Sequence, residues 1–354
     1  MGKNKKRSKQ ADILEEPIRA ETNKLIDQIN NDKELNGWQK HRRRRAVKKT
    51  KALFRAIDIL FSMPQNSCPY VKKSNEDKIE CQADIVYDGG ESDICTFDMY
   101  RIPTNEPQPA VIIIHGGGFT AGDKKYRKGR AKFLALNGFT VFCINYGLAP
   151  DFTFPSPILH IVDAANYIHA HAEKFNIDAS RIILDGDSAG AYYAALVASL
   201  NNNEKLKTRI SRSLDFKAFG VLLNCGIYDM ATVRKVRDPL DIADGVILSL
   251  TGAKIDEFND YEYSDCCMPI DFVNSDFPPT FLIYSSADIF CRGQGDVLKE
   301  KLDSCGVYYE YYNARHITSN HCFSLTWSGE DAVAANELML SFAKRLAGDK
   351  IKFK

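Results

Sequence analysis

Two hydrophobic patterns divide the chain between residues 63 and 69. Before this point, apolar residues recur three and four positions apart, which predicts helices over residues 11–62. After it, short apolar runs alternate with helix-length amphipathic segments, as is typical of buried strands separated by helices. The predicted strands are Val111–Ile114, Thr140–Ile144, Ile182–Leu184, Phe219–Leu223, Thr280–Tyr284 and Val307–Tyr312.

This alternation predicts an α/β fold in which a mainly parallel sheet is covered by helices on both faces. The helices are expected over residues 125–137, 158–175, 189–202, 292–304 and 330–346. Residues 229–275 interrupt the alternation with an amphipathic stretch followed by a polar, aromatic one. We interpret this segment as an insertion over the sheet.

The charge of the chain is unevenly distributed. Over 354 residues, 47 Lys and Arg face 46 Asp and Glu, giving a net charge of +1, which argues against a polyanionic partner for the whole chain. Residues 1–51 hold 16 basic and 7 acidic side chains, a surplus of +9, so the remainder carries −8. The first 51 residues are therefore basic, and the rest of the chain is mildly acidic.

The cysteines and the apolar segments indicate a reducing setting. No cysteine pair has the CxxC spacing of a zinc or thioredoxin-type site, so free thiols are expected. The N-terminal residues lack the apolar stretch of a secretory signal, and no apolar run approaches the roughly 20 residues of a membrane span. We therefore expect a cytoplasmic protein without a transmembrane segment. The ten cysteines are Cys68, Cys81, Cys95, Cys143, Cys225, Cys266, Cys267, Cys291, Cys305 and Cys322.

A G-x-S-x-G motif is centred on Ser188, between a predicted strand and a predicted helix. On a sharp strand-to-helix turn the serine hydroxyl is lifted clear of the sheet, and the flanking Gly186 and Gly190 avoid a clash between strand and helix. The amide of Ala189 then lies at a helix N-terminus, where it can stabilise negative charge. A turn that only caps a helix is the alternative interpretation.

Three consecutive glycines follow His115, directly after another predicted strand. Their uncovered N–H groups predict an oxyanion hole in which Gly117 and Gly118 act with Ala189. A phosphate-binding loop is the competing interpretation, but neither Gly-Lys-Ser/Thr nor the G-x-G-x-x-G spacing is present.

A nucleophilic serine needs a base and an acid, and in chain order both follow Ser188. Asp288 and His321 each follow a predicted strand, so parallel strands bring them to the same sheet edge as Ser188. Asp296 is the second candidate for the acid, and His316 is the second candidate for the base.

With these motifs, His-Gly-Gly-Gly and Gly-Asp-Ser-Ala-Gly, the chain resembles the hormone-sensitive lipase branch of the α/β-hydrolases over about residues 80–345. Further agreement lies in Asn145–Pro150, Phe154-Pro155 and Asp163–Ala165. Gly147 departs from the family, which usually has Arg there, and so does the Ile-Phe-Cys-Arg segment after Asp288. The resemblance implies oxyanion donors Gly117, Gly118 and Ala189 and the catalytic residues Ser188, Asp288 and His321.

The resemblance also implies an α/β-hydrolase fold with a small helical cap. We expect residues 1–75 to form a basic helical segment that belongs to the cap, and residues 76–354 to form the catalytic domain, with a cap insertion around 229–275. The implied activity is hydrolysis of short- to medium-chain acyl esters through an acyl-enzyme. No motif calls for a metal or an organic cofactor. The expected partner is a small acyl ester, with a homodimer as one option for the assembly.

Three alternatives stay open on the sequence. The first is an aminoacyl or peptide amidase of the same fold, and the second is a member that binds a ligand without catalysis. The third is a protein that binds nucleic acid or an anionic membrane through Lys3–Lys9 and Arg42–Lys51. Aromatic residues are not interleaved with these charges, which disfavours a single-strand nucleic-acid binder.

Overall fold

A computed structural model describes residues 25–65, 68–87, 94–233, 242–253 and 255–348. Within them, one sheet of eight strands forms the centre of the molecule. The strands are β1 (Glu80–Val86), β2 (Thr96–Arg101), β3 (Gln108–Ile114), β4 (Thr140–Ile144), β5 (Ile177–Asp187), β6 (Gly220–Asn224), β7 (Thr280–Ser285) and β8 (Tyr309–Ala314).

The strand order across the sheet is β1-β2-β4-β3-β5-β6-β7-β8. β1 and β2 pair in antiparallel fashion with each other, and β2 does so with β4, whereas all pairs from β4 to β8 are parallel. The mainly parallel sheet predicted from the sequence is therefore confirmed. The carboxyl ends of β3, β5, β6, β7 and β8 consequently lie along one edge.

Both faces of the sheet are buried, as the near-continuous apolar strands predict. Ile112 and Ile114 of β3 pack into one hydrophobic core, while Val111 and Ile113 pack into the other. The helices are α1 (residues 25–31), α2 (Gly37–Gln65), α3 (Lys73–Glu76), α4 (Lys128–Ala135), α5 (Ser156–Ala170), α6 (Ala172–Phe175), α7 (Ala189–Ser199), α8 (Glu204–Ile210), α9 (Met230–Val233), α10 (Ile242–Thr251), α11 (Gln294–Cys305) and α12 (Glu330–Gly348).

The first core takes side chains from α5 and α7, and the second takes them from α4 and α12. Helices therefore cover both faces, as expected for an α/β-hydrolase fold. Each predicted helix after residue 120 has a counterpart, although the segments 125–137 and 189–202 both include a turn of 3-10 helix. Residues 11–24 of the predicted N-terminal helices lie outside the described residues.

The N-terminal helices pack against α10, and Phe54 of α2 also joins the first core. Leu25, Ile29 and Val47 form a small core with Leu248 of α10. Arg43 is turned inward to an ion pair with Glu257 at 2.6 Å, whereas its neighbours Arg42 and Arg45 are exposed. α2 continues past the predicted stop at Met63 to Gln65. Among the described residues, no helix has both the length and the hydrophobicity to cross a membrane.

Candidate active site

Ser188 occupies the tight turn between β5 and α7. Its backbone is strained, with φ 52° and ψ −120°, and its N–H donates to the carbonyl of Asn224 at 2.8 Å. A Cβ on Gly186 would lie 2.3 Å from the carbonyl oxygen of Gly190, and a Cβ on Gly190 would lie 2.0 Å from that of Ile114. Only glycine fits these positions, because strand and helix pack backbone to backbone on either side of the serine.

A chain of hydrogen bonds joins Ser188, His321 and Asp288 at the carboxyl edge of the sheet. His321 Nε2 lies 2.9 Å from Ser188 Oγ, and His321 Nδ1 lies 2.8 Å from Asp288 Oδ2. Asp288 follows β7, and His321 lies between β8 and a 3-10 turn over Phe323–Thr326. With its Nδ1 proton held by the carboxylate, the imidazole presents Nε2 to accept the serine proton.

The electrostatics of the pair favour a charged carboxylate. Burial raises the pKa of Asp288. His321 and the N–H groups of Cys291 and Phe290 lower this pKa by more than burial raises it, so the net pKa lies below its usual value. Both N–H groups donate to Asp288 Oδ1 at 2.8 Å. Burial alone would lower the pKa of His321, yet Asp288 and the neighbouring thiols raise it well above its ordinary 6.5.

The second candidates for acid and base lie outside this chain of hydrogen bonds. Asp296, on α11, accepts a hydrogen bond from the Tyr284 hydroxyl at 2.9 Å. His316 is exposed, with Nδ1 2.7 Å from Thr318 Oγ1. Of the two residues considered for each role, only Asp288 and His321 are hydrogen-bonded together.

The glycine loop after β3 faces the serine with its backbone. Gly117 and Gly118 have φ of +139° and +59°, conformations that favour glycine. Among the described residues, the N–H groups of Gly117, Gly118 and Ala189 donate no hydrogen bond. Three backbone donors next to Ser188 thus stay available for a bound oxygen.

The loop is fixed by buried polar contacts that the sequence motifs did not identify. Asp187 forms a two-point ion pair with Arg127, both contacts being 2.6 Å, and Asp187 Oδ2 also accepts from the N–H of Gly116 at 3.2 Å. His115 stacks on Tyr146, whose hydroxyl donates to the His115 carbonyl. Burial, assisted by Arg127, lowers the pKa of His115 to about 4, so His115 is neutral. Asp187 lies inside the serine motif, but no sequence signal points to Arg127.

A narrow cleft lies in front of Ser188 and has a cavity volume of about 40 Å³. Its apolar lining comes from Phe54 and Ile57 of α2 together with Phe290 and Leu325. The ring of Phe54 covers Gly118, since a Cβ there would lie 2.3 Å from it. None of the residues lining the cleft comes from the described part of the 229–275 insertion.

Comparison with known proteins agrees with this geometry. The model of the BD-FAE family matches residues 97–302. An alpha/beta hydrolase of Acanthamoeba polyphaga mimivirus is 32% identical over 97 residues, which span 27% of this chain and only 28% of that relative.

Among solved structures, esterase B from Lactobacillus rhamnosus superposes with a TM-score of 0.72 at 22% identity, covering 85% of this chain and 96% of the esterase. An esterase from Pyrobaculum calidifontis superposes with a TM-score of 0.63 at 21% identity, covering 85% and 92%. These likenesses agree with the α/β-hydrolase fold that the sequence motifs predict. Because the family model spans more than half of the sequence, the chain belongs to the BD-FAE family of α/β-hydrolases.

Proposed function

We propose that the chain is a serine carboxylic ester hydrolase that forms an acyl-enzyme on Ser188. The observation that supports this most directly is the 2.9 Å contact between His321 Nε2 and Ser188 Oγ, continued to Asp288 at 2.8 Å. His321 takes the serine proton as Oγ attacks the ester carbonyl, and it then returns that proton to the leaving alcohol. Water repeats the attack on the acyl-enzyme. Asp288 holds the imidazole in the right tautomer and stabilises its charged form.

The oxyanion formed in each attack is assigned to the N–H groups of Gly117, Gly118 and Ala189. Each such donor contributes on the order of 10²–10³ in rate when it is aimed at the developing charge. Here the donors are backbone groups of a loop tied down by the Arg127–Asp187 ion pair, so they need little reorganisation during the reaction. This arrangement suits a planar carbonyl that becomes tetrahedral.

The cap is assigned to the helices that cover this site. α2 places Phe54 and Ile57 on the cleft, and its buried residue Val47 packs with Leu248 of α10. We assign α1, α2 and the 229–275 insertion to one cap over a catalytic domain. The cleft at Ser188 is narrow, about 40 Å³, and its lining includes the apolar side chains of Phe54, Ile57, Phe290 and Leu325. We propose short- to medium-chain acyl groups as substrates, because this lining is apolar and Phe54 limits the space over Gly118.

The relative rates of ester and amide hydrolysis distinguish this function from an amidase. The chain is expected to hydrolyse p-nitrophenyl butyrate and to show at most weak activity on an aminoacyl p-nitroanilide. A fluorophosphonate probe should label one residue, Ser188, as located by mass spectrometry of tryptic peptides. Faster cleavage of the anilide would favour the amidase, and absence of both turnover and labelling would favour a non-catalytic binding protein.

Hydrolysis is expected to increase with pH through a pKa above 6.5. Asp288 raises the pKa of His321 above that value, and only the neutral imidazole can accept the serine proton, so the active fraction falls as pH falls. The titratable groups facing His321 are Asp288, Cys225, Cys291 and Cys322. The measurement is kcat/KM for p-nitrophenyl butyrate across about pH 5 to 9. His316→Ala should leave the profile unchanged. An acid limb with its midpoint below pH 6.5 would contradict the assignment of His321 as the base.

Phe54→Ala should move the preference toward longer acyl chains. Removing the ring opens the wall over Gly118, so the ratio of kcat/KM for p-nitrophenyl octanoate to that for the acetate should rise about tenfold or more. Ile59→Ala is the matched control, because Ile59 lies on the same helix but is 62% exposed. An unchanged ratio in Phe54→Ala, or an equal rise in both variants, would count against Phe54 as the limit on acyl length.

A further inference from the structure

Three soft donor atoms lie together beside the hydrogen-bonded chain of Ser188, His321 and Asp288. The sulfur atoms of Cys225 and Cys322 and one ring nitrogen of His321 all lie within 4.8 Å of one another. Cys225 follows β6 and Cys322 follows His321 directly, so the carboxyl edge of the sheet brings the two thiols together from distant parts of the chain. Both cysteines are free thiols and buried, and Cys322 lines the cleft in front of Ser188.

The proposed hydrolysis makes no use of either thiol. We propose that Cys225, Cys322 and His321 form a binding site for one soft divalent cation such as Zn²⁺, and that its occupancy inhibits the enzyme. The inhibition, but not the binding, rests on the function proposed above.

The donor set fits this class of metal. Thiolate and imidazole ligands suit Zn²⁺ and Cd²⁺, whereas Mg²⁺ and Ca²⁺ require oxygen ligands. At bond lengths of about 2.0–2.3 Å, the ligands of a tetrahedral zinc lie roughly 3.5 Å apart, so donors already within 4.8 Å need only modest side-chain rotation. The fourth position is left to water from the cleft.

The binding step is balanced in protons and charge. Each thiol releases one proton to solvent, and the two thiolates together neutralise the cation, while neutral His321 donates a nitrogen lone pair. Burial raises the pKa of Cys322 well above its ordinary value. Cys322 lowers the pKa of Cys225, but burial outweighs this and raises it to about 11. The metal therefore displaces protons from both sulfur atoms as it binds.

Occupancy withdraws His321 from the reaction whichever ring nitrogen binds the metal. Nδ1 is the atom held by Asp288, and Nε2 is the atom that faces Ser188 Oγ. Metal on Nε2 blocks acceptance of the serine proton. Metal on Nδ1 breaks the contact with the carboxylate that fixes the tautomer. Either geometry stops proton transfer.

A second donor set shares the same histidine. Asp288, Cys291 and His321 also offer ligand atoms within 4.8 Å of one another. It is the weaker set, because it contributes one sulfur rather than two and because Asp288 Oδ1 already accepts the N–H groups of Phe290 and Cys291. Cys291 therefore provides a matched control: a buried thiol that also lies within 4.8 Å of a His321 ring nitrogen but is outside the proposed site.

Inhibition by free Zn²⁺, buffered with a chelator, tests the site against p-nitrophenyl butyrate hydrolysis. Cys225→Ser and Cys322→Ser should each raise the Zn²⁺ concentration for half inhibition by at least about tenfold, with each variant compared with its own metal-free rate. Serine is chosen because both positions have positive φ, 49° and 51°, which disfavours a branched replacement. Cys291→Ser should keep the Zn²⁺ sensitivity of the unmodified chain, and excess chelator should restore activity.

Direct binding separates the site from the catalytic proposal. Titration with Cd²⁺ should produce the ultraviolet thiolate-to-metal band with a single equivalent in both the unmodified chain and Ser188→Ala, since neither sulfur depends on the serine. The band should weaken in Cys225→Ser and in Cys322→Ser. If the chain binds Cd²⁺ in this way but hydrolyses no ester, the site stands and the proposed function fails.

Three results would overturn the site. Equal Zn²⁺ sensitivity in the unmodified chain and both serine variants would place the inhibitory metal elsewhere. Loss of sensitivity in Cys291→Ser alone would assign it to the second donor set. Inhibition reversed by dithiothreitol but not by chelator would indicate oxidation of the thiols instead of metal binding.

Discussion

Ser188→Ala should lower kcat for p-nitrophenyl butyrate by roughly 10⁴-fold or more. The variant lacks the oxygen that attacks the ester carbonyl, and the methyl group that remains cannot form an acyl-enzyme. The oxyanion donors stay in position, so a slow residual rate above the uncatalysed one is expected. The measurement is kcat and KM under single-substrate conditions, together with the thermal midpoint of each protein.

Ser199→Ala is the matched control, on the same helix α7. Its hydroxyl is fully buried and donates only to the carbonyl of Ala195 at 2.9 Å, so its loss removes one local hydrogen bond and no reacting group. We expect this control to keep kcat. Full hydrolysis by Ser188→Ala with an unchanged thermal midpoint would remove Ser188 from the mechanism.

The candidate residues were found from the sequence because their positions relative to glycines and predicted strands indicate the local backbone geometry. Glycines on both sides of Ser188 and three more after His115 follow short apolar runs of the kind expected for buried strands, and parallel strands end at one edge of the sheet. The same argument brought Asp288 and His321 to that edge. The sequence favoured Asp288 over Asp296, which lies further along on helix α11, and favoured His321 over His316, which lies closer to its strand; the distances then join Asp288 and His321 to Ser188 in one hydrogen-bonded chain.

The antiparallel pair β1 and β2 was not predicted, for a physical reason. β1 is largely exposed at the sheet edge, and its polar sequence lacks a clear alternation. β2 is almost entirely buried but carries Asp98, which breaks its apolar pattern. That carboxylate is neutralised by buried Lys124, an ion pair between residues that are distant in sequence.

The part of the cleft lining that comes from α2 was also not predicted, since it depends on how this helix is rotated about its own axis. The sequence predicts that α2 is helical and amphipathic, but not that Phe54 rests on Gly118 while Arg42 and Arg45 are exposed. The aromatic side chains around residues 258–263 do not line the described cleft, and Tyr261 instead donates its hydroxyl to the carbonyl of Phe154, 2.8 Å away.

Asp288→Asn should lower kcat by roughly 10⁴-fold with little change in fold. The N–H groups of Phe290 and Cys291 both donate to Oδ1, so they select the orientation in which the amide oxygen of Asn occupies that position. The amide nitrogen then faces Nδ1 of His321 and donates to it. The imidazole must carry its proton on Nε2, where it points at Ser188 and cannot accept the serine proton.

The pH profile gives this prediction a second readout. Without the carboxylate, the pKa of His321 loses the charge that raises it, so the acid limb of kcat/KM should move to lower pH as the rate falls. Asp296→Asn is the control, because Asp296 Oδ1 accepts the hydroxyl of Tyr284 and lies outside the chain that reaches Ser188. A larger loss in Asp296→Asn than in Asp288→Asn would transfer the role of the acid to Asp296. An acid limb that stays in place in Asp288→Asn would mean that another group sets the protonation of the base.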